Sequence, residues 1–477
     1  MTEITKEKNK NQKEKAFSTI SARSFIVIVA ILSFMLIAVG VLTYLVPMGK
    51  YENGGFHYIT EGDRGVPIYK IILAPFLVFA SDAGLTIIMI SLFLLVMSGC
   101  FNVMEKTGGL KAVISRAIKA FADKKTLVIM LGILFFMMFG SFFGMFEELL
   151  TLLPIIMVFV LSLGYDSMIG LGICMLSACF GFSCAITNPF SVGLASQVAG
   201  VAVSDGVWLR IIFFVCVYAL VCAFILSYAK KITKEPQKSL TYQIDRAKLQ
   251  NLDKELKEEQ CDDKFFKTYA IFLGTAFVVL ILVASIRSIA SYAIPILAGV
   301  FLIGGLTSGL IVSEQKKKVF KDFFAGAVSM IPAVFMIALA SSIKYVLDEG
   351  KIIGTLTNYI VAFLSGQPKF VCVLLIYLLI LVLQIFIGSA SAKIMLIIPI
   401  VVPICADLGI SPSVVILTYC MADGFTDMIL PTNPVLLIGL SMANVSYGKW
   451  IKWTYKLQIV IFILTLVFLL FAVAIGY

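Results

Sequence analysis

The feature that most constrains this chain is a series of apolar runs, each about 20 residues long, separated by short polar segments. A run of that length can cross the hydrocarbon core of a bilayer as one helix. The composition agrees, because 60% of the residues are hydrophobic and only 14% are charged, which lies outside the ordinary range of soluble domains. The sequence therefore predicts an all-α polytopic membrane protein.

Nine spans and two pairs of shorter apolar runs can be placed along the chain. The spans are predicted at 25–46, 84–104, 166–200, 207–229, 268–287, 290–312, 329–347, 412–443 and 455–476. The pairs, at 126–163 and 369–408, have small residues at their centres, in "GSFFG" and "GSASA". We predict that each pair is a re-entrant hairpin whose tip reaches the middle of the membrane.

The net charge of +10 is concentrated in segments that flank the spans, as the positive-inside rule expects of cytoplasmic loops. This placement favours a lipid membrane over a nucleic acid as the partner of the basic residues. The polar segment 1–24 is predicted to be cytoplasmic and uncleaved, because the apolar run after it is too long for a signal peptide. Segment 230–267, with charges of both signs, is predicted to be a cytoplasmic linker between two halves.

The two halves of the chain are related by a shift of 245 positions. That shift superimposes Pro154 on Pro399, Trp208 on Trp453, and the Thr-Asn-Pro triplet at 187–189 on the one at 432–434. The second half, 268–477, begins with one extra span, so it would face the opposite way from the first half, 25–229. This arrangement predicts the inverted-topology repeat of many secondary transporters.

The repeated Thr-Asn-Pro triplets mark breaks inside two spans. Asn is a preferred N-cap and Pro suits the first helical turn, so 166–200 and 412–443 are each predicted to be two half-helices. The prolines would free the carbonyls of Ala185 and Leu430, and with Asn188 and Asn433 these could hold Na⁺. The N-terminus of each following half-helix suits a carboxylate. A proline kink in a continuous helix remains the alternative.

Five charged residues fall near the predicted tips and breaks. Glu147 and Glu148 follow the first tip, and Lys393 stands at the repeat-equivalent position of Glu148. Asp423 and Asp427 are four residues apart, which predicts one shared helix face. Charged groups inside a membrane are costly and mark functional sites by default. Four carboxylates against one lysine favour a ligand with positive charge, or coupling to Na⁺ or H⁺.

Several motifs, in order, resemble the YfcC-type proteins of the anaerobic C4-dicarboxylate carrier (DcuC-like) family. They are "GMFEE", "LPIIMVFVLSLGYD", "TNPFSVGLASQVAGV", "YCMADGFTDMILPT" and "YGKWIKW". The resemblance covers nearly the whole chain and implies an elevator-type member of the ion transporter superfamily, dimeric, in the bacterial inner membrane. One departure is Pro434, where the family more often has glycine. Matching positions imply a substrate site that includes Ser141, Gly144, Glu147, Glu148, Thr187, Asn188, Ser389, Ser391, Lys393, Thr432 and Asn433.

The resemblance covers both dicarboxylate carriers and basic amino-acid antiporters. We predict a secondary active transporter of amino acids, with basic ones such as arginine and ornithine exchanged. The asparagines and hairpin serines would bind the α-amino and carboxylate groups, and the four carboxylates would bind a cationic side chain or the coupling ion. The alternatives are an Na⁺- or H⁺-coupled C4-dicarboxylate transporter and a channel. The sequence has no GxxxxGK[ST] loop or catalytic histidine constellation, which disfavours an ATP-driven pump or an enzyme, and no cofactor is expected.

Overall fold

The computed structural model describes residues 22–52, 55–60, 64–81, 84–109, 112–113, 116, 124–246, 248, 263–285, 292–364 and 366–477. Within those ranges, seven helices are long and apolar enough to cross a membrane, by length and composition. The predicted polytopic character is therefore confirmed. The prediction that the chain is all-α is wrong in one detail, because an antiparallel hairpin pairs β1 (Gly49–Glu52) with β2 (Gly55–Tyr58).

The first half contains nine α-helices among its described residues. They are α1 (Ala22–Leu45), α2 (Ile68–Leu77), α3 (Gly84–Lys106), α4 (Lys125–Met138), α5 (Leu153–Ser162), α6 (Ser167–Leu171), α7 (Ser177–Ser183), α8 (Leu194–Ala199) and α9 (Val207–Lys234). Wide π turns extend α4 (Phe139–Phe143), join α6 to α7 (Gly172–Leu176) and precede α8 (Pro189–Gly193). Short 3₁₀ turns follow α2 (Val78–Ala80), precede α5 (Glu148–Leu152) and follow α9 (Pro236–Lys238).

The second half contains ten α-helices among its described residues. They are α10 (Asp263–Ser285), α11 (Ala293–Val312), α12 (Lys316–Ser329), α13 (Ile331–Glu349), α14 (Ile353–Leu364), α15 (Lys369–Phe386), α16 (Ala390–Asp407), α17 (Pro412–Ala422), α18 (Pro434–Ala443) and α19 (Tyr447–Ala474). A 3₁₀ turn, Phe425–Met428, lies between α17 and α18.

The predicted spans have helical counterparts, but four elements are not predicted from the sequence: the β-hairpin, α2, α12 and α14. The helix α12 is the most instructive of these. Its lysine-rich start is one of the basic segments that flank the predicted spans, yet Val319, Phe323 and Gly326 recur on one face and are buried. That spacing is typical of an amphipathic helix, which here begins at Lys316.

The helices pack as two groups. In the first group, α3 packs against α11 and α12, α10 packs against α11, and α13 packs against α1 and α2. In the second group, α4 packs against α7 and α9, α15 packs against α17, and α16 packs against α8 and α17. The groups meet where α18 contacts α13 and α1, and where Phe277 of α10 stacks on Phe135 of α4. Both interrupted segments and both predicted hairpins belong to the second group.

Candidate functional site

The first predicted break is present, and the first hairpin satisfies its backbone. Helix α7 ends at Ser183, and the next helical turn begins at Pro189. The carbonyl oxygen of Ser141, in the π turn after α4, accepts the three backbone amides 186–188 at 3.1, 3.3 and 3.1 Å. The Ser141 hydroxyl donates to the Cys184 carbonyl at 2.6 Å. Irregular backbone is tolerated inside an apolar body only when its polar groups find such partners.

Asn188 caps the half-helix that follows this break. Its Oδ1 accepts the Phe190 amide at 2.9 Å, and its side chain is fully buried. Its Nδ2 has no hydrogen-bond partner among the described residues. Thr187 lies at the edge of the break, where its hydroxyl donates to the Phe142 carbonyl at 3.1 Å. The first break therefore contains a buried hydrogen-bond donor, Asn188 Nδ2, to which an acceptor atom of a ligand could bind.

Gly144 brings the hairpin tip against Asn188. Its φ is +70°, and a Cβ there would lie 2.2 Å from Asn188 Oδ1. We expect Gly144→Ala to lower the free energy of unfolding by about 1–3 kcal/mol more than Gly200→Ala. Gly200 is a matched control because its φ is +72° and a Cβ added there would have no atom within 4 Å. Apparent melting temperatures in detergent would measure the difference, and equal shifts would contradict this contact.

The second break begins earlier than the sequence indicates. Helix α17 ends at Ala422, Asp423 is extended, and Gly424 has a φ of +105°. Asp427 follows in a 3₁₀ turn. The prediction that Asp423 and Asp427 share one helix face is therefore wrong, because a left-handed glycine separates them. The two carboxylates point to different partners.

Asp423 is neutralised by the lysine of the second hairpin. Lys393 Nζ lies 2.8 Å from Asp423 Oδ1, and both side chains are buried. The Tyr419 hydroxyl lies 3.2 Å from Asp423 Oδ2. Ser389 is the N-cap of α16 and accepts the Ala392 amide at 3.4 Å. Lys393 therefore lies in the first turn of α16, after the exposed tip of the hairpin.

Asp427 belongs to a second polar cluster. Its Oδ1 accepts a hydrogen bond from Gln384 Nε2 at 2.5 Å, and the side chains of Lys393, Asp423 and Asn433 also interact with it. Asn433 caps α18, accepting the Val435 amide at 2.9 Å. The buried Gln384 Oε1 has no hydrogen-bond partner among the residues that are described. This cluster therefore presents an unpaired acceptor beside a carboxylate.

The two breaks touch each other. The Ser183 hydroxyl, at the end of α7, donates to the Asp423 carbonyl at 2.7 Å. The Cys179 thiol donates to the Gly424 carbonyl at 2.9 Å. The rings of Phe180 and Phe425 pack edge to face, with centroids 4.9 Å apart. The end of α7 thus contacts the chain at the second break.

The other predicted site residues are placed less centrally. Ser389 is exposed, while Ser391, Thr432 and Glu147 are partly buried. The side chain of Glu148 lies outside the described residues.

The possible Na⁺ site needs one correction. The Leu430 carbonyl, predicted to be free, accepts the Asn433 amide at 3.2 Å, because the chain turns before Pro434. In the described ranges, no three His, Cys, Asp or Glu side chains form a metal-binding group.

Two residues in these contacts are not predicted from the sequence. Gln384 could have been found, because it is a lone amide in the apolar run "LLILVLQIF" and polar residues in such runs are functional candidates. Ser183 carries no such signal, since serine is common in apolar helices and its partner lies in the other half of the chain.

The chain is similar to proteins of one known family. The family model of the C4-dicarboxylate anaerobic carrier matches residues 22–474. YfcC of Escherichia coli (strain K12), named "Putative basic amino acid antiporter YfcC", is 26% identical, covering 94% of this chain and 96% of its own. An uncharacterized protein of Haemophilus influenzae is 25% identical, covering 76% of this chain and 71% of its own.

Two solved transporters resemble the chain more remotely. The Alcanivorax borkumensis YdaH transporter has a TM-score of 0.43 at 17% identity, covering 95% of this chain and 98% of its own. Neisseria gonorrhoeae MtrF has a TM-score of 0.39 at 15% identity, covering 93% of each. Both are too remote for site residues to be compared. On the family match, this chain is a multi-pass inner-membrane transporter that belongs to the C4-dicarboxylate anaerobic carrier family.

Proposed function

We propose that this transporter carries amino acids, and that it exchanges basic ones such as arginine and ornithine. The observation that carries the proposal is that two buried side-chain atoms have no hydrogen-bond partner among the described residues: the donor Asn188 Nδ2 at the first break and the acceptor Gln384 Oε1 beside Asp427. Leaving a buried polar atom unpaired costs about 1–3 kcal/mol, so a ligand that pairs with both atoms would gain that free energy. An amino acid could pair with both atoms, because its carboxylate accepts a hydrogen bond from Asn188 Nδ2 and its ammonium donates one to Gln384 Oε1.

The charge balance bears on the side chain of the substrate. The Lys393–Asp423 pair is neutral as a unit, so the four predicted carboxylates do not all act on a ligand. Asp427 accepts a hydrogen bond from Gln384, and the charges of Lys393 and Asp423 also act on it. One lysine beside two buried carboxylates leaves one negative charge unbalanced, which suits a cationic group. The name of the YfcC relative, a basic amino acid antiporter, agrees with this choice.

The proposed mechanism is secondary active transport by an elevator built from two inverted repeats. The packing supports it, because α8 of the first half packs on α16, and α18 of the second half packs on α5 and α6. Each half-helix after a break thus lies on the hairpin or the broken segment of the other half, as a two-fold pair requires. The second helix group would move and the first would stay. Coupling to Na⁺ or H⁺ and a homodimer remain predictions from the resemblance.

Asp427→Asn is the sharpest test of the substrate. In proteoliposomes loaded with ornithine, we expect labelled arginine uptake, and unlabelled arginine should compete better than citrulline, its uncharged analogue. Asp427→Asn keeps the shape and removes the charge, so we expect arginine affinity to fall about tenfold or more, with citrulline affinity little changed. Retained preference for arginine would exclude Asp427 as the cation-binding group.

A C4-dicarboxylate is the second candidate, favoured by the description of the matched family and by the Lys393–Asp423 pair, which removes one negative charge. Dominant uptake of labelled succinate, unaffected by arginine, would establish this candidate and remove the first. Saturable counterflow would separate either carrier from a channel, which would instead give single-channel currents.

A further inference from the structure

The first part of the segment between the two halves is docked on the second helix group. Segment 230–267 is predicted from its charges to be a linker, but α9 continues to Lys234, and residues 242–246 and 248 are helical. Thr241 and Asp245 are buried, each less than 4% exposed. A charged segment with buried side chains needs specific partners, and those partners lie on the two broken segments.

The first partner is the start of the first broken segment. Asp245 Oδ2 accepts the Ser167 backbone amide at 2.8 Å, and its Oδ1 accepts the Ser167 hydroxyl. Asp166 caps the same helix, accepting the Ile169 amide at 3.0 Å. Its other oxygen accepts the Ser239 hydroxyl of the docked segment at 2.7 Å. Two carboxylates thus meet the free amides at the N-terminus of α6, where negative charge is favoured.

The second partner is the end of the second broken segment. Lys248 Nζ donates to the carbonyl of Ala443, the last residue of α18, at 3.0 Å. A cation is favoured at a helix C-terminus, where carbonyls lack intrahelical donors. Burial lowers the pKa of Lys248, and the Asp245 carboxylate acts in the opposite direction. The lysine therefore depends on the same aspartate that binds α6.

We infer that residues 236–246 and 248 form a clasp, in which Asp245 and Lys248 are positioning residues that hold the start of the first broken segment against the end of the second. Both contacts come from one helical turn, so α6 and α18 cannot separate without breaking one of them. The Ser183–Asp423 contact joins the two broken segments at a second place, where α7 ends and the second break begins. The clasp thus fixes the pair of segments that carries Asn188 and Asn433.

The clasp also shows which part of segment 230–267 belongs to which helix group. The hydrogen bonds of Ser239, Asp245 and Lys248 described above go to the second group, whereas α10, which begins at Asp263, packs in the first group. The described residues of this segment up to 248 therefore belong with the second group, and those from Asp263 belong with the first. If the second group moves, residues 236–246 and 248 move with it.

Hydrogen exchange in lipid nanodiscs tests the clasp without any substrate. We expect Asp245→Asn to speed amide exchange about tenfold at 167–171, which it contacts, and also at 440–446, which it does not. Lys248→Met should speed exchange at the same two places. Ser167→Ala is a milder second variant should Asp245→Asn fold poorly. Arg246→Gln is the matched control, because Arg246 is exposed on the same turn, and it should change neither region.

Transport measurements distinguish a positioning role of Asp245 from a role in protein stability alone. With labelled arginine, or labelled succinate if arginine is not carried, Asp245→Asn should lower the maximal rate per folded carrier severalfold and leave KM within about twofold. This readout rests on the proposed function, while the exchange experiment does not. If each variant changes exchange only at its own contact, or nowhere, the clasp is disproved whatever the substrate is.

Discussion

Lys393→Met is expected to destabilise the protein by about 3–5 kcal/mol, the cost of leaving one partner of a buried ion pair uncompensated. Lys393 is fully buried and Asp423 is 1% exposed, with Nζ and Oδ1 2.8 Å apart. Methionine fills similar space without the charge, so the effect would be electrostatic and not a cavity. The apparent melting temperature and the yield of folded protein in detergent would measure it.

The double variant Lys393→Met/Asp423→Asn separates stability from transport. Removing both charges should restore most of the lost stability, because neither partner is then left buried and charged. If the ion pair only stabilises the fold, the double variant will also transport at the wild-type rate. We expect it to fold but transport poorly, because Asp423 lies at the second break. Lys393→Met as stable as the wild type would show that the pair is not ionised.

Gly140→Ala is expected to destabilise the protein by about 3 kcal/mol, the upper end of the usual cost of overpacking. A Cβ on Gly140 would lie 2.1 Å from the Ala178 carbonyl oxygen and 2.6 Å from the Phe182 amide nitrogen. These are backbone atoms of α7, which cannot rotate away as a side chain could. The hairpin would have to leave the first broken segment, and the Ser141 contacts with 186–188 would weaken with it.

Two other glycine variants serve as comparisons for the melting temperature of Gly140→Ala. Gly181 makes the reciprocal contact, with a Cβ 2.1 Å from the Met137 carbonyl oxygen, so Gly181→Ala should cost a similar amount. Gly274, within α10, has no atom within 4 Å of a Cβ, so Gly274→Ala should be neutral or slightly stabilising. Melting temperatures that do not differ between Gly140→Ala and Gly274→Ala would refute the close approach of these helices.

Local chemistry, which is visible in residue order alone, specifies several parts of this protein. Runs of apolar residues specify spans because one helix must satisfy its own backbone in lipid. Asn188 and Asn433 cap the half-helices after the breaks, because asparagine is a preferred N-cap and proline suits the first helical turn. Predicting those elements required no knowledge of what lies beside them.

The partners of the polar groups depend instead on the packing of distant segments. Asp423 and Asp427 look alike in the sequence, yet one is paired with Lys393 and the other with Gln384, because Gly424 turns the chain between them. The Ser183–Asp423 contact joins residues 240 positions apart, and Asp245 binds a helix start 78 positions away. Such pairings arise only when whole segments pack together, so the charge balance of the site and the docked state of the linker could not be read from residue order.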